Sequence, residues 1–153
     1  MRVFPFAAEA IKSLQNKGFL VILITNQSGI GRGFFGEKAL SEIHEKLTRE
    51  LAEKGAKLDA IYFCPHISED ECLCRKPKAG MILEAARDFQ IDLGQSWMIG
   101  DKRVDVETGI NAGTKTALVL TGYGQNEVEN VADKTDLIGK DLSEIASKII
   151  KYF

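Results

Sequence analysis

Apolar runs of strand length alternate with helical patterns along this chain, and this alternation constrains the fold more than any other feature. The clearest run covers residues 19–24, which are all apolar and include three isoleucine or valine side chains. Such a run is typical of a parallel strand that is covered on both faces. Strands that alternate with helices predict an α/β fold with a doubly wound, mostly parallel sheet.

The predicted elements fill the chain without a break that would separate two domains. Helical spacing predicts helices, and short apolar runs predict strands. The predicted helices cover residues 7–16, 37–54, 80–89, 104–112 and 142–152, and the predicted strands cover residues 19–24, 60–63, 97–99 and 115–120. A chain of 153 residues without a Pro/Ser-rich linker predicts one domain over residues 1–153.

Charge and composition exclude several classes of function. The formal net charge of −2 gives no basis for binding nucleic acid or an anionic membrane surface. The sequence shows neither a signal peptide nor an apolar run of membrane-spanning length. Gly29, Gly31 and Gly33 match neither spacing of a nucleotide-binding glycine loop. The clustered thiols predict a reducing, cytoplasmic location.

Four potential metal ligands lie close together in the sequence: Cys64, His66, Cys72 and Cys74. Three cysteines and one histidine form the ligand set of a closed, tetrahedral Zn²⁺ site. The alternatives are cysteines buried in the core, or one disulfide with a thiol left over. The odd count and the acidic character of the stretch argue against both. The pattern predicts a structural zinc site that organises a loop and performs no chemistry.

Residues suited to binding phosphate follow the predicted strands. The segment 25–29 offers hydroxyl, amide and backbone donors. Lys76, between the zinc loop and Pro77, provides a fixed cation, and Asp101 at a strand end suits a hard cation such as Mg²⁺. Each feature has an ordinary structural alternative: a strand-to-helix turn, a solvated lysine, or a helix N-cap. Together they indicate phosphoryl transfer, in which positioning and neutralisation of charge provide most of the catalysis.

The same segments resemble the haloacid-dehalogenase superfamily. Three segments carry the resemblance: Ile-Thr-Asn-Gln-Ser-Gly-Ile-Gly-Arg-Gly at 24–33, Cys-Pro-His at 64–66 with Cys-x-Cys-Arg-Lys-Pro-Lys-x-Gly-Met at 72–81, and Gly-Asp-Lys-x-x-Asp at 100–105. They are similar to the zinc-containing branch, the heptose-bisphosphate and histidinol-phosphate phosphatases. The first segment is more similar to the D-glycero-D-manno-heptose 1,7-bisphosphate 7-phosphatases.

The resemblance implies a capless domain that hydrolyses a small phosphorylated sugar with Mg²⁺, and it implies a role for each matching residue. Thr25 and Lys76 hold the transferring phosphoryl group. Asn26, Gln27, Ser28, Arg75 and Lys102 join them in binding substrate. Asp101 is the Mg²⁺ ligand, and Asp105 supports Asp101 and Lys76. Cys64, His66, Cys72 and Cys74 are the Zn²⁺ ligands. The oligomeric state is left open by the resemblance.

The motif that supplies the nucleophile of this superfamily is absent from the 153 residues. The superfamily places Asp-x-Asp-Gly at the end of its first and central strand, and the first Asp forms a phospho-aspartate. No Asp-x-Asp occurs in this chain. We therefore expect an N-terminally truncated phosphatase that lacks its central strand and is inactive as it stands. The alternatives are a non-catalytic phosphosugar-binding remnant and a half-protein completed by a separate chain.

Overall fold

The computed structural model describes residues 5–151 as alternating helices and parallel strands. The helices are α1 (Pro5–Asn16), α2 (Ser28–Gly31), α3 (Glu37–Glu53), α4 (Gly80–Phe89), α5 (Arg103–Ala112), α6 (Gly124–Val131) and α7 (Leu142–Lys151), with 3₁₀ turns at Ser68–Asp70 and Leu93–Gln95. The strands are β1 (Ile22–Asn26), β2 (Ala60–Cys64), β3 (Trp97–Gly100), β4 (Lys115–Val119) and β5 (Leu137–Gly139). The doubly wound α/β prediction is confirmed.

The first strand lies further along the chain than its apolar run predicts. It covers Ile22–Asn26 rather than residues 19–24, so Thr25 and Asn26 are its last two residues. The shift arises because register with β2 continues to Asn26, which is opposite Cys64. Phe19, ahead of the strand, instead packs on the apolar core. The predicted C-terminal helix extended to Tyr152, which lies outside the described residues.

Three elements were not predicted because each is too short or too polar to show a period. Helix α2 has four residues and β5 has three. Helix α6 has the sequence Gly-Gln-Asn-Glu-Val-Glu-Asn-Val, in which only two valines are apolar. Tertiary packing stabilises α6, since Val131 is fully buried against Val106 and Leu118.

Helices cover both faces of the sheet. Strand β4 demonstrates this, because its successive side chains enter two different apolar cores. Ala117 and Val119 face a core formed with α1 and α7, whereas Leu118 faces α5 and α6. Successive strand residues point to opposite faces, so three consecutive apolar residues serve two separate cores. Within the described part of the chain, no helix is long and apolar enough to cross a membrane.

The sheet is divided into two parallel pieces. Strand β1 pairs with β2, and β3, β4 and β5 form the second piece in the order β3-β4-β5. Between β1 and β3 lies a cavity of about 760 Å³, which we call the strand slot. Its walls include Ile22–Ile24 of β1 and Trp97–Gly100 of β3. This is the position at which the superfamily resemblance places a central strand.

Candidate active site and metal centre

The four predicted zinc ligands come together at the end of β2. Cys64 is the last residue of this strand and is fully buried, and the following loop carries His66, Cys72 and Cys74 back to it. One ligand atom from each residue lies within 4.8 Å of the others. All three cysteines are free thiols. The loop therefore gathers a three-sulfur, one-nitrogen donor set that suits Zn²⁺.

The distances within this cluster approach those of a tetrahedral zinc site. His66 Nδ1 lies 3.5 Å from Cys64 Sγ and 3.3 Å from Cys74 Sγ, and Cys72 Sγ lies 3.5 Å from Cys64 Sγ. Zn–S bonds of about 2.3 Å and Zn–N bonds of about 2.0 Å give tetrahedral edges of about 3.5–3.8 Å. The sulfurs of Cys64 and Cys74, 2.6 Å apart, have to separate when an ion enters.

The three thiols differ in acidity. Burial raises the pKa of Cys64, and burial with hydrogen bonds to the other two thiols raises the pKa of Cys74 to about 12. At Cys72 burial also acts to raise the pKa, but hydrogen bonds from the Arg75 backbone and the other thiols outweigh it and lower the pKa to about 6. Since metal-bound cysteines are thiolates, zinc uptake must release protons from Cys64 and Cys74.

We expect the purified protein to contain one Zn²⁺ per chain. Cys72→Ser removes one of the four ligands. Because mutation of a residue that only supports a ligand already lowers metal affinity about 10- to 100-fold, we expect this variant to bind zinc more weakly still. Leu73→Ser is the matched control, because Leu73 lies between two ligands but is 81% exposed. Metal analysis and competition with a chelator measure both variants. A zinc content well below one per chain, or equal weakening by Leu73→Ser, contradicts the assignment.

Next to the zinc loop, Asn26 fixes the backbone of Lys76. The backbone N–H of Lys76 donates to Asn26 Oδ1 at 3.0 Å, and Asn26 Nδ2 donates to the Lys76 carbonyl at 3.4 Å. This reciprocal pair joins the end of β1 to the segment after the zinc loop. Both polar ends of the Asn26 amide are thereby engaged with Lys76. Its predicted contact with substrate stays a prediction, and the geometry favours a positioning role.

Asp105 fixes the ammonium group of Lys76. Lys76 Nζ lies 2.6 Å from Asp105 Oδ1, and the side chains are 14% and 6% exposed. Asp105 Oδ2 accepts a hydrogen bond from the backbone N–H of Lys102 at 3.2 Å. A Cβ on Gly100 would lie 2.3 Å from that carboxylate, so only glycine leaves room for it. Asp105 therefore contacts Lys76, as its predicted supporting role requires.

The other residues of the phosphate-binding prediction lie at the end of β1, directly after it, or in the segment that follows the zinc loop. Gln27 Nε2 donates to the Thr25 hydroxyl at 3.0 Å, a contact that sequence spacing did not suggest. Arg75 donates to the His66 carbonyl at 3.2 Å and so joins the zinc loop to the cation pair. Ser28 begins the short helix α2. These contacts orient Thr25 and Arg75 without engaging Lys76 itself.

Asp101 follows β3 and is held by Tyr123, a residue that no sequence pattern had indicated. The backbone N–H of Tyr123 donates to Asp101 Oδ2 at 3.1 Å. Gly122 has a φ of +62°, and a Cβ there would lie 2.2 Å from the same oxygen. The Lys102 ammonium lies 4.6 Å from the centre of the Tyr123 ring, a cation–π contact. No sequence pattern marks Gly122 or Tyr123 as part of the site. They contact Asp101 only because the segment after β4 lies next to the end of β3.

Asp101 fits Mg²⁺ as one ligand of an incomplete set. A carboxylate oxygen suits this ion, which takes near-octahedral oxygen geometry and keeps several waters. The neighbouring Asp105 carboxylate is occupied by Lys76 and by the Lys102 backbone. Further oxygen ligands therefore have to come from water, substrate phosphate or another carboxylate.

Comparisons with known proteins agree with this fold and site. Residues 73–145 match a family model described as HAD-hydrolase-like. The D-glycero-beta-D-manno-heptose-1,7-bisphosphate 7-phosphatase of Pseudomonas putida is 38% identical over 146 residues, which are 95% of this chain and 83% of the relative. That of Haemophilus ducreyi is 42% identical over 144 residues, 90% of this chain and 79% of the relative.

A solved structure is similar over almost the whole chain. The D,D-heptose 1,7-bisphosphate phosphatase of B. bronchiseptica, complexed with magnesium and phosphate, superposes with a TM-score of 0.91 at 35% identity, over 99% of this chain and 85% of that one. Fold and site thus define the chain as a HAD-like hydrolase. Within that class, it belongs to the family of the D-glycero-beta-D-manno-heptose-1,7-bisphosphate 7-phosphatases.

Proposed function

We propose that this chain forms the phosphate-binding and cation-binding part of a Mg²⁺-dependent phosphatase that removes the 7-phosphate from D-glycero-D-manno-heptose 1,7-bisphosphate in the cytoplasm. The observation that carries the proposal is the fixation of Lys76 from two directions, by Asn26 at its backbone and by Asp105 at its ammonium. The names of relatives at 38% and 42% identity support the substrate.

The geometry of Lys76 suits the charge that develops on a transferring phosphoryl group. An ammonium has three N–H donors, and Asp105 takes one of them. Two donors remain for phosphate oxygens, and the carboxylate holds them in a fixed direction. A preorganised charge of this kind costs no reorganisation when the reaction occurs, and this saving is the main source of electrostatic catalysis.

Thr25 and Asp101 complete the proposed phosphate site. The Thr25 hydroxyl accepts from Gln27 at 3.0 Å and donates only over a long 3.4 Å contact to the Asn26 carbonyl, so its proton can be redirected to a phosphate oxygen. Asp101, oriented by the Tyr123 backbone, would hold Mg²⁺. When bound, this ion neutralises phosphate charge and aligns the phosphoryl group. Arg75, Lys102, Gln27 and Ser28 are proposed to contact the sugar bisphosphate outside the reacting group.

The nucleophile is not among the residues that form this site. The phosphatase chemistry that the family resemblance implies needs an aspartate at a strand end, and the 153 residues contain no Asp-x-Asp. We therefore propose that the 153-residue chain binds and orients phosphate but does not hydrolyse the ester. Hydrolysis requires a strand that carries the aspartate pair to the edge occupied by Thr25, Lys76 and Asp101.

The substrate is tested with an extended protein in which a strand that ends in Asp-x-Asp-Gly precedes Met1. We expect phosphate release from heptose 1,7-bisphosphate to exceed that from histidinol phosphate by at least tenfold in kcat/KM, and the product to retain its 1-phosphate. A preference for histidinol phosphate would assign the chain to the alternative activity. Binding of the bisphosphate without hydrolysis of any sugar phosphate would leave the non-catalytic phosphosugar-binding function.

A further inference from the structure

Tyr123 lies in a turn whose backbone is fixed against the ends of two strands. Its N–H donates to Asp101 Oδ2 at 3.1 Å, directly after β3. A Cβ on Gly122 would collide with the same carboxylate oxygen, and a Cβ on Gly124 would collide with the carbonyl of Val119 at the end of β4. Glycine at both positions lets the turn lie close to the strands. The Tyr123 side chain therefore starts from a defined place beside Asp101.

The Tyr123 ring serves neither an apolar core nor the helix that follows it. The residue is 59% exposed, and its side chain makes no capping hydrogen bond to α6. The ring instead contacts Lys102, whose Nζ lies 4.6 Å from the ring centre. This distance is within the roughly 6 Å over which a ring face attracts a cation. The ring is thus engaged at the candidate site.

The Tyr123 ring holds the Lys102 ammonium without neutralising it. Among the residues that the structure describes, no carboxylate forms an ion pair with Lys102. Glu127 lies close enough to sense its charge, but that carboxylate accepts a hydrogen bond from Asn130 instead. A ring face attracts a cation through its quadrupole and carries no net charge. Lys102 therefore keeps its positive charge, and the N–H donors that point away from the ring can bind an anion.

Lys76 and Lys102 present two different cations to the candidate site. The Lys76 ammonium lies 2.6 Å from Asp105, and its side chain is only 14% exposed, so it serves a phosphate inside the site. Lys102 follows Asp101 directly in the chain and is exposed. A single phosphate that engages Lys76 leaves Lys102 without an anion. A second phosphate on the same sugar provides one, through a charge-assisted hydrogen bond.

We propose that Tyr123 is a positioning residue that holds Lys102 toward the phosphate that is not cleaved, and that it thereby favours doubly phosphorylated sugars over singly phosphorylated ones. The inference rests on the proposed function, which already assigns Lys102 to the substrate outside the reacting group, and adds the role of Tyr123. A free lysine side chain loses rotamer freedom when it binds an anion. A ring that orients the ammonium beforehand reduces this loss.

The test measures ligand affinities of the 153-residue chain, loaded with Zn²⁺ and Mg²⁺, by calorimetry. We expect heptose 1,7-bisphosphate to bind at least tenfold more tightly than heptose 7-phosphate, which carries only the phosphate that is cleaved. Tyr123→Leu removes the ring but keeps the backbone N–H on Asp101. It is expected to weaken bisphosphate binding about three- to fivefold and to change 7-phosphate binding less than twofold. Tyr123→Phe keeps a ring face and is expected to retain the affinity of the parent protein.

Lys102→Gln shows whether the ring acts through the cation. In that variant, adding Tyr123→Leu is expected to change bisphosphate binding less than 1.5-fold, because the group that the ring positions is gone. Three results overturn the inference by assigning Tyr123 a structural role: equal weakening of both ligands by Tyr123→Leu, equal weakening by Tyr123→Phe, or a full effect without Lys102.

The parent protein separates failure of this inference from failure of the proposed function. Equal affinity for heptose 1,7-bisphosphate and heptose 7-phosphate overturns the inference and leaves the proposed phosphate site in place. Binding of neither ligand overturns the proposed function together with the inference that rests on it.

Discussion

A strand that ends in Asp-x-Asp-Gly, added ahead of Met1, is expected to raise the rate of phosphate release from heptose 1,7-bisphosphate by about 10⁴-fold or more. The reason is that the nucleophile and the ligands missing around Asp101 arrive together at the edge where Lys76 is already fixed. Only residues 17–21 join α1 to β1, so α1 runs back antiparallel to that strand. A strand in the slot parallel to β1 therefore ends near the start of α1, which a short linker can reach.

Two controls make this result specific. Replacing the first Asp of the added strand by Asn keeps its shape but removes the nucleophile, and is expected to return the rate to that of the 153-residue chain. Removal of Mg²⁺ with a chelator is expected to have a similar effect on the extended protein.

Rapid turnover by the 153-residue chain itself would show that its nucleophile lies elsewhere. Inactivity of the extended protein on every sugar phosphate would remove the proposed activity.

In the extended protein, Lys76→Ala is expected to lower kcat by about 100-fold, the scale of losing one preorganised charge at the reacting group. The effect on KM should be smaller, because the ammonium interacts most strongly with the charge of the transition state. Steady-state kinetics on heptose 1,7-bisphosphate measure both quantities. Lys134→Ala, which removes an exposed lysine far along the chain from the site, is the control and is expected to change kcat less than twofold.

Two further measurements separate loss of charge from loss of structure. Lys76→Ala leaves the Asp105 carboxylate buried without its partner, so thermal unfolding and zinc content must be compared with the parent protein. Asn26→Ala keeps the ammonium but releases the Lys76 backbone, and is expected to lower kcat by a smaller factor at unchanged zinc content. If kcat of Lys76→Ala remains within threefold of the parent, the proposed role of Lys76 is wrong.

Sequence patterns located most of the fold because apolar periodicity directly reports which faces are buried. Strands β1 and β4, from their apolar runs, and helix α4, from its helical spacing, were each predicted with both ends within three residues of their observed positions. Patterns failed where an element depends on its neighbours. Helix α6 is held by Val131 in a core with Val106 and Leu118, and the three residues of β5 become a strand only by pairing with β4.

For the candidate site, the sequence by itself determined which chemical groups are present. Spacing alone predicted that Cys64, His66, Cys72 and Cys74 converge, because the ligands of a loop clip are close along the chain. The same local information placed Thr25 and Asp101 at strand ends and Lys76 directly after the zinc loop.

Only the tertiary structure decided how those groups are oriented and what lies between the two halves of the sheet. The clamp of Asn26 on Lys76, the Lys76–Asp105 pair and the Tyr123 contact to Asp101 join residues that are 50, 29 and 22 positions apart. No local pattern specifies such contacts, since they result from the packing of separate elements. The strand slot is the clearest case: its apolar lining appears in the sequence as ordinary core, and only the arrangement of β1 and β3 leaves it open.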